Sequence, residues 1–339
     1  VSYRAVELAG GFGLDRLSLA QRPRREPGPG QVRVRLAAAA LNYRDLMTVR
    51  GDYNPSLKLP LVPCSDGAGV VEAVGPGVTR VTVGQRVMTS FFQGWANGPP
   101  PGDLFTTSLG GPLDGTLAES ILLAETGVLP TPPHLTDIEA ATLPCAGLTA
   151  WSALVTHGNG LRPGDTILVL GSGGVSIFAL QLGRLMGLRV LATTSSEGKR
   201  ERLLALGASE VINVRTTPDW GKEVRALTGG RGVDLVVEVG GAGTLERSLQ
   251  AVRPGGQLSL MGVLGGKSGP LNLRLLYMYN VRVQGIIVGH REGFAALARA
   301  VELHGLRPVV ERTFPLDDFR AAFDTLASGS HVGKLVVTL

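Results

Sequence analysis

Thr166-Ile-Leu-Val-Leu170 runs directly into Gly171-Ser-Gly-Gly-Val-Ser176, and an apolar, helix-periodic stretch follows to Met186. The short apolar run reads as a buried strand. The glycines after it let backbone N–H groups approach an anion closely, and a helix opening at Val175 aims its positive end at the same place. Strand, glycine turn and helix in that order form the diphosphate-binding turn of a dinucleotide fold, which makes Gly171, Ser172, Gly173, Gly174 and Val175 candidate cofactor contacts. The pattern is G-x-G-G-x-S. Ser176 replaces the usual last glycine and is still small enough for close packing of helix on sheet. Methyltransferase-like nucleotide folds use a similar turn.

Working outward, apolar strands alternate with helical segments from Asp165 to about Val288. The strands read as Thr166–Leu170, Arg189–Thr193, Val211–Asn213, Leu235–Glu238, Gln257–Met261 and Val281–Ile287, and the helices fall near 175–186, 197–206, 219–227, 243–251 and 271–278. Six strands so spaced imply βαβ units and a doubly wound parallel sheet. Residues 1–130 read differently. Val32-Arg-Val-Arg-Leu36 alternates apolar and charged like a half-buried strand, Gly67–Glu72 and Arg86–Met88 are short strands, and Gly75-Pro-Gly77 marks a turn. Residues 93–115, rich in Gly and Pro, read as a long surface loop. A helix begins at Asp137, two more cover 293–305 and 317–327, and Lys334–Leu339 closes as a strand.

The second strand of the parallel set ends Ala192-Thr-Thr-Ser-Ser196, followed by Lys199 and Arg200. An NAD site usually has Asp or Glu there for the ribose 2′-hydroxyl. Hydroxyls and a lysine instead suit a 2′-phosphate, so Thr194, Ser195 and Lys199 point to NADP(H). The missing acid also counts against a methyltransferase, whose ligand offers ribose hydroxyls.

Composition narrows the class. With 44% apolar and 18% charged residues, the 339-residue chain buries a large core and divides into about two domains. The charge of +5 is scattered, with no basic stripe interleaved with aromatics, so nucleic acid is not an expected partner. Two cysteines are too few for a disulfide framework, which makes a cytoplasmic location the default. No apolar stretch reaches membrane-spanning length, and no signal peptide is visible, although the chain opens at Val1 without Met.

Further motifs stand in order along the chain: Leu41-Asn-Tyr-Arg-Asp45, Asp66-Gly-Ala-Gly-Val-Val-Glu72, Val74-Gly-x-Gly-Val-x-x-Val81, Gly84-Gln-Arg-Val87, Leu143-Pro-Cys-Ala-Gly-Leu-Thr-Ala-Trp151 and Leu206-Gly-Ala208. On these the chain resembles the medium-chain dehydrogenase/reductase superfamily over essentially its whole length, and most of all its zinc-independent branch near quinone oxidoreductases. The resemblance implies a Rossmann cofactor domain over 146–288. It also implies a mainly β, GroES-like substrate domain from 1–145 and 289–339, and a homodimer formed through the strand Val281–Ile287. It further implies that Thr149 faces the nicotinamide, that backbone groups near Val263 and Val288 hold its carboxamide, and that Lys334 lies near the diphosphate. Gly240 is implied as a position where a side chain would crowd the cofactor.

Zinc members of that superfamily hold the metal with Cys, His and Cys. Motif matching puts Asn42, Ser65 and Cys145 at those places, and only the last is a zinc ligand by type, so no metal site is expected. Tyr43, whose phenol can donate to an oxyanion, and Asn42 are then the candidate catalytic residues; alternatively Asn42–Asp45 only stabilises a strand-to-helix turn. The implied activity is NADPH-dependent hydride transfer to a small-molecule quinone or α,β-unsaturated carbonyl. An alcohol, aldehyde or ketone oxidoreductase is the alternative, and an NADP-binding sensor or structural protein with little turnover is the third.

Overall fold

The computed structural model describes residues 2–339, and the chain divides into two compact units, 149–289 and 1–148 with 290–339. The first of these is a six-stranded parallel sheet in the spatial order Glu210–Asn213, Arg189–Thr194, Thr166–Val169, Val233–Glu238, Val252–Leu260, Arg282–Gly285. Numbered along the chain that order is 3-2-1-4-5-6, the doubly wound arrangement, and it reverses direction between Thr166–Val169 and Val233–Glu238. Ile167, Leu168 and Val169 are wholly buried because their strand is central and covered on both faces. The helix Gly174–Leu185 lies unusually close to the sheet at Gly183, where a Cβ would come within 2.9 Å of Ile167 and 3.0 Å of Val190.

One polar device ties the amino ends of three sheet strands. The Asp234 carboxylate accepts from the Thr166 amide at 2.8 Å and from Arg231 and Arg253, each at 2.6 Å. Burial alone would raise its pKa, but these donors outweigh it and hold the carboxyl down to about 2. The last strand is shorter than the sequence suggests, Arg282–Gly285, and pairs on one side only, with Val252–Leu260.

The other unit is β-rich. Its sheet runs Val310–Pro315, Lys334–Thr338, Gln31–Ala40, Asp66–Val74, Arg86–Thr89, Val128–Pro130, with Ser120–Ala124 also paired to Gln31–Ala40. All neighbours are antiparallel except Val310–Pro315 with Lys334–Thr338. A hairpin of Ser2–Leu8 and Leu17–Pro23, with the helices Tyr43–Arg50 and Phe319–Ser328, encloses a core that includes Leu41, Leu46, Leu117, Phe314, Phe323 and Val337.

The Gly/Pro-rich segment 93–115 is indeed largely irregular, but it is not a loose surface loop. Leu104 and Leu109 are buried, and the rings of Phe91, Phe92, Trp95 and Phe105 meet edge to face. Arg44 clamps its far end by donating to Leu109 O at 2.6 Å and Gly111 O at 2.8 Å. The guanidinium also lies over the rings of Tyr53 and Phe91, 5.2 and 5.0 Å from their centres. Apolar anchors without periodicity gave no sign of this order in the sequence.

Candidate active site

In the parallel-sheet unit, the turn after Thr166–Val169 has the construction the sequence implies. Gly171 adopts φ +74°, a left-handed conformation natural to glycine, and its amide donates to the Thr193 hydroxyl at 3.1 Å. A Cβ built on Gly171 or Gly173 would meet no atom within 4 Å. The turn therefore encloses open space at the amino end of the helix Gly174–Leu185, a cradle that suits a dinucleotide diphosphate. Ser176 turns its hydroxyl back to donate to Leu170 O at 2.6 Å, which satisfies it within the turn.

At the end of Arg189–Thr194 the hydroxyls divide. Thr194 is buried and bonded to Ser196, so it shapes the turn, whereas Ser195 is exposed. The Lys199 ammonium reaches the Ser172 hydroxyl at 3.1 Å. Arg200 instead donates to Val211 O at 2.5 Å, and the neighbouring acid, Glu197, accepts from Asn213 at 3.0 Å.

The turn after Val233–Glu238 lies across the point where the strand order reverses, where ligands bind in such sheets. Glu238, wholly buried, organises it. Its carboxyl accepts from Gly240 N–H at 2.7 Å, Gly241 N–H at 3.0 Å and the Thr244 hydroxyl at 2.6 Å, and also from the Ser248 hydroxyl. A Cβ on Gly240 would strike Thr244 at 2.2 Å, and one on Gly241 would strike Gly266 O at 2.7 Å. Protein atoms alone thus crowd both positions, and Gly240 is the place at which the resemblance implied a close approach of the cofactor. Residues 261–266 pack on this turn through Leu264 N–H to Val239 O and Gly265 N–H to Gly240 O, at 3.3 and 2.6 Å. Val263 borders an open depression of about 450 Å³ formed with Leu260, Met261, Gly262, Gly285, Ile286 and Ile287. Nearby in sequence, Val288 has φ +46°, a strained conformation for a β-branched residue. Thr149, in the same unit, is 5% exposed.

In the β-rich unit, Asn42 caps the helix Tyr43–Arg50, and its amide N–H is held by Asp45 at 2.8 Å. Tyr43 is 40% exposed. Beneath them lies a buried polar cluster. Ser65 donates to Asp66 at 2.6 Å, and the Cys145 amide donates to its other oxygen at 3.1 Å. The Lys334 ammonium, 3% exposed, donates to Leu41 O at 2.6 Å and Asn42 Oδ1 at 2.5 Å, with Asp66 4.0 Å away. The sequence resemblance implied Lys334 by the diphosphate; here its ammonium is engaged inside this cluster.

Desolvation dominates the titration of the cluster. Burial pushes Asp45 up to about 6 against the pull of Arg44, and raises Asp66 against the Lys334 charge, the Ser65 hydroxyl and the nearby Asn42 amide. The Cys64 and Cys145 thiols are raised by burial first and by Asp66 among their neighbouring carboxylates. These residues do not suit zinc. At the three motif-matched places, the Asn42 oxygen accepts from an ammonium and Ser65 donates to Asp66, so Cys145 alone is of a zinc-ligating type. No group of three or more His, Cys, Asp or Glu suited to a metal occurs among the described residues. Nor, among them, is any helix long and apolar enough to cross a membrane.

A doubly wound sheet with an open glycine cradle at its first turn, in a chain that also carries a GroES-like β unit, defines the class as dinucleotide-dependent oxidoreductases. Residues 28–133 match the alcohol dehydrogenase GroES-like domain, and 174–302 match the zinc-binding dehydrogenase family. A zinc-type alcohol dehydrogenase-like protein of Schizosaccharomyces pombe is 37% identical, covering 92% of this chain and 91% of its own. A 2-haloacrylate reductase of a Burkholderia species is 32% identical over 92% and 91%. A solved structure described as an NAD-dependent alcohol dehydrogenase superposes with a TM-score of 0.91 at 38% identity, covering 99% of each chain. The chain belongs to the medium-chain dehydrogenase/reductase superfamily of nicotinamide-dependent oxidoreductases.

The sequence reading missed Glu238 and Asp66 as organising groups. Each had a signal: an acid ending the apolar run Leu235-Val-Val-Glu238, and an acid opening Asp66-Gly-Ala-Gly69.

Proposed function

We propose that this protein is an NADPH-dependent, zinc-independent reductase of α,β-unsaturated carbonyls or quinones. The observation that carries the cofactor preference is Lys199 on the Ser172 hydroxyl, at a strand end whose exposed group is Ser195 and whose nearest acid, Glu197, is engaged with Asn213. A cation and a hydroxyl suit a 2′-phosphate, whereas a carboxylate would repel it.

When bound, the reduced nicotinamide supplies the hydride. The protein's part is to bind, orient and donate. Amides of Ser172–Val175 hold the diphosphate, on a turn whose Gly171 N–H is fixed to Thr193, and backbone groups near Val263 and Val288, with Thr149, orient the ring. Tyr43, exposed at the start of the helix that Asn42 caps, donates to the carbonyl oxygen as negative charge builds on it, which is the service zinc performs elsewhere in the superfamily. The protein works as a homodimer joined along Arg282–Gly285. That strand pairs on one side only, and Val283 on it is 42% exposed, near Leu273, Tyr277 and Met278 at 63%, 69% and 60%.

The relative named for 2-haloacrylate, an activated alkene, supports an enone-type acceptor. A second reading, an alcohol or ketone oxidoreductase, is favoured by the relatives named alcohol dehydrogenase. The test is NADPH and NADH oxidation by purified protein across enones, quinones and simple ketones. Turnover of enones or quinones with NADPH is expected. Turnover of ketones alone moves the protein to the second reading, and a preference for NADH removes the 2′-phosphate assignment.

A further inference from the structure

We propose that Asn213 is a positioning residue for cofactor choice: its side chain detains the Glu197 carboxylate and so keeps negative charge off the place a 2′-phosphate would take. The inference rests on the NADPH reading above and adds to it a residue that acts through another.

The parallel sheet brings the two residues to one spot. Asn213 lies opposite Thr194 in the register, and Val214 N–H donates to Thr194 O at 2.8 Å, so the carboxyl ends of the two strands are level. The adenosine ribose of a dinucleotide lies at the carboxyl end of the second strand of such a sheet, which here is Arg189–Thr194. Just past that end, Glu197 opens the short turn Glu197–Lys199, between the exposed Ser195 and Lys199 in the chain. A carboxylate so placed repels a 2′-phosphate unless something draws it aside.

Asn213 draws it aside, and its own orientation is fixed. Arg215 N–H donates to Asn213 Oδ1 at 3.0 Å, and Thr217 N–H donates to the Asn213 main-chain carbonyl at 2.9 Å. A backbone N–H can meet only the oxygen of the amide, so the amide nitrogen is left for Glu197. That nitrogen donates to Glu197 Oε2 at 3.0 Å, and Arg200 Nε stands 3.8 Å from Oε1. Arg200 is itself anchored on Val211 O. Both carboxylate oxygens thus face groups tied to the strand Glu210–Asn213. The Lys199 ammonium turns the other way, to Ser172 on the turn after Thr166–Val169. Those two strands flank Arg189–Thr194 on opposite sides, so the sheet order separates the acid from the lysine across the strand end.

Glu197 is 66% exposed, so the hold is modest and its release is a few-fold effect. In Asn213→Ala the calorimetric Kd for NADPH is expected to rise about 3- to 5-fold, and that for NADH to change by less than about 1.5-fold. Adding Glu197→Gln is expected to return NADPH affinity to near the wild-type value, because the released side chain then carries no charge. The ratio of variant to wild-type Kd for NADPH is expected to shrink toward one in about 0.5 M salt, where exposed charges are screened.

A loss of NADPH affinity that Glu197→Gln fails to reverse, or that salt leaves unchanged, overturns the proposal in favour of Asn213 as scaffold for its turn. Undiminished NADPH affinity in Asn213→Ala overturns it outright. In each of these cases the NADPH reading stands. Phosphorus NMR titration of the wild type with 2′-AMP and 5′-AMP tests that reading by itself. Tighter binding of 2′-AMP is expected, whereas no discrimination between the two removes the NADPH reading and the role of Asn213 with it.

Discussion

The Lys199 ammonium lies 3.1 Å from the hydroxyl of Ser172 and so joins the helix-opening segment after the second strand of the parallel sheet to its phosphate turn. On the proposed NADPH reading, Lys199→Ala removes a charge-assisted contact to the 2′-phosphate, worth about 1.5–3 kcal/mol. The KM for NADPH should rise about 10-fold or more and that for NADH less than about twofold. Parallel steady-state titrations with the two cofactors check this. Equal losses would assign Lys199 to the scaffold.

Gly173 faces open space, so a methyl group there meets no protein atom. Gly173→Ala should fold normally, with Tm within about 2 °C of wild type, yet weaken dinucleotide binding about 10-fold or more, because the methyl intrudes where a diphosphate approaches the backbone. Calorimetric titration of both proteins measures it. Undiminished affinity would take the diphosphate away from this turn.

How much of this was legible beforehand depended on how local the signal was. The run Ile167–Ser176 declares strand, turn and helix through neighbours alone, and its reading matches the structure. The strand Val310–Pro315 was passed over, because its partner Lys334–Thr338 gives the segment its meaning and most of its residues are partly or fully exposed. The polar cluster was illegible for the same reason: Asn42, Asp66, Cys145 and Lys334 are hundreds of residues apart at the extremes, and only sheet register unites them. Gly183 is the opposite case, a glycine inside a helix whose cause, contact with Ile167 and Val190, lies on other strands.

Glu238 has no cation within its shell of four donors, so its removal leaves two backbone amides and two hydroxyls without their acceptor. Glu238→Ala should cost about 2–4 kcal/mol of stability. Because residues 261–266 pack on that turn, the cofactor KM should rise as well. Urea unfolding and cofactor titration check the two effects, and an unchanged midpoint would show that the turn is held by its backbone alone.

Asp45 binds its proton more tightly folded than unfolded, since burial lifts its carboxyl from 3.8 to about 6. Its contribution to stability is therefore complete below about pH 4 and is lost as pH rises through 6, roughly 3 kcal/mol in all. Asp45→Asn, which cannot ionise, should show no such loss. The stability of wild type minus that of the variant is expected to decline from pH 4 to 7 in urea titrations. A difference that stays level across that range would refute the protonation assigned to Asp45.

Gln31–Ala40 waits for Lys334–Thr338, its neighbour in the sheet. Nearly three hundred residues separate them, and at 5–20 residues per second a ribosome takes roughly 15–60 s to make that interval. Through that time the strand edge that will meet the C-terminal segment stays bare, while the parallel sheet, contiguous in the chain, has all its strands made. The parallel-sheet unit is thus one uninterrupted stretch, whereas the sheet that leads into Asn42 needs segments made on both sides of it.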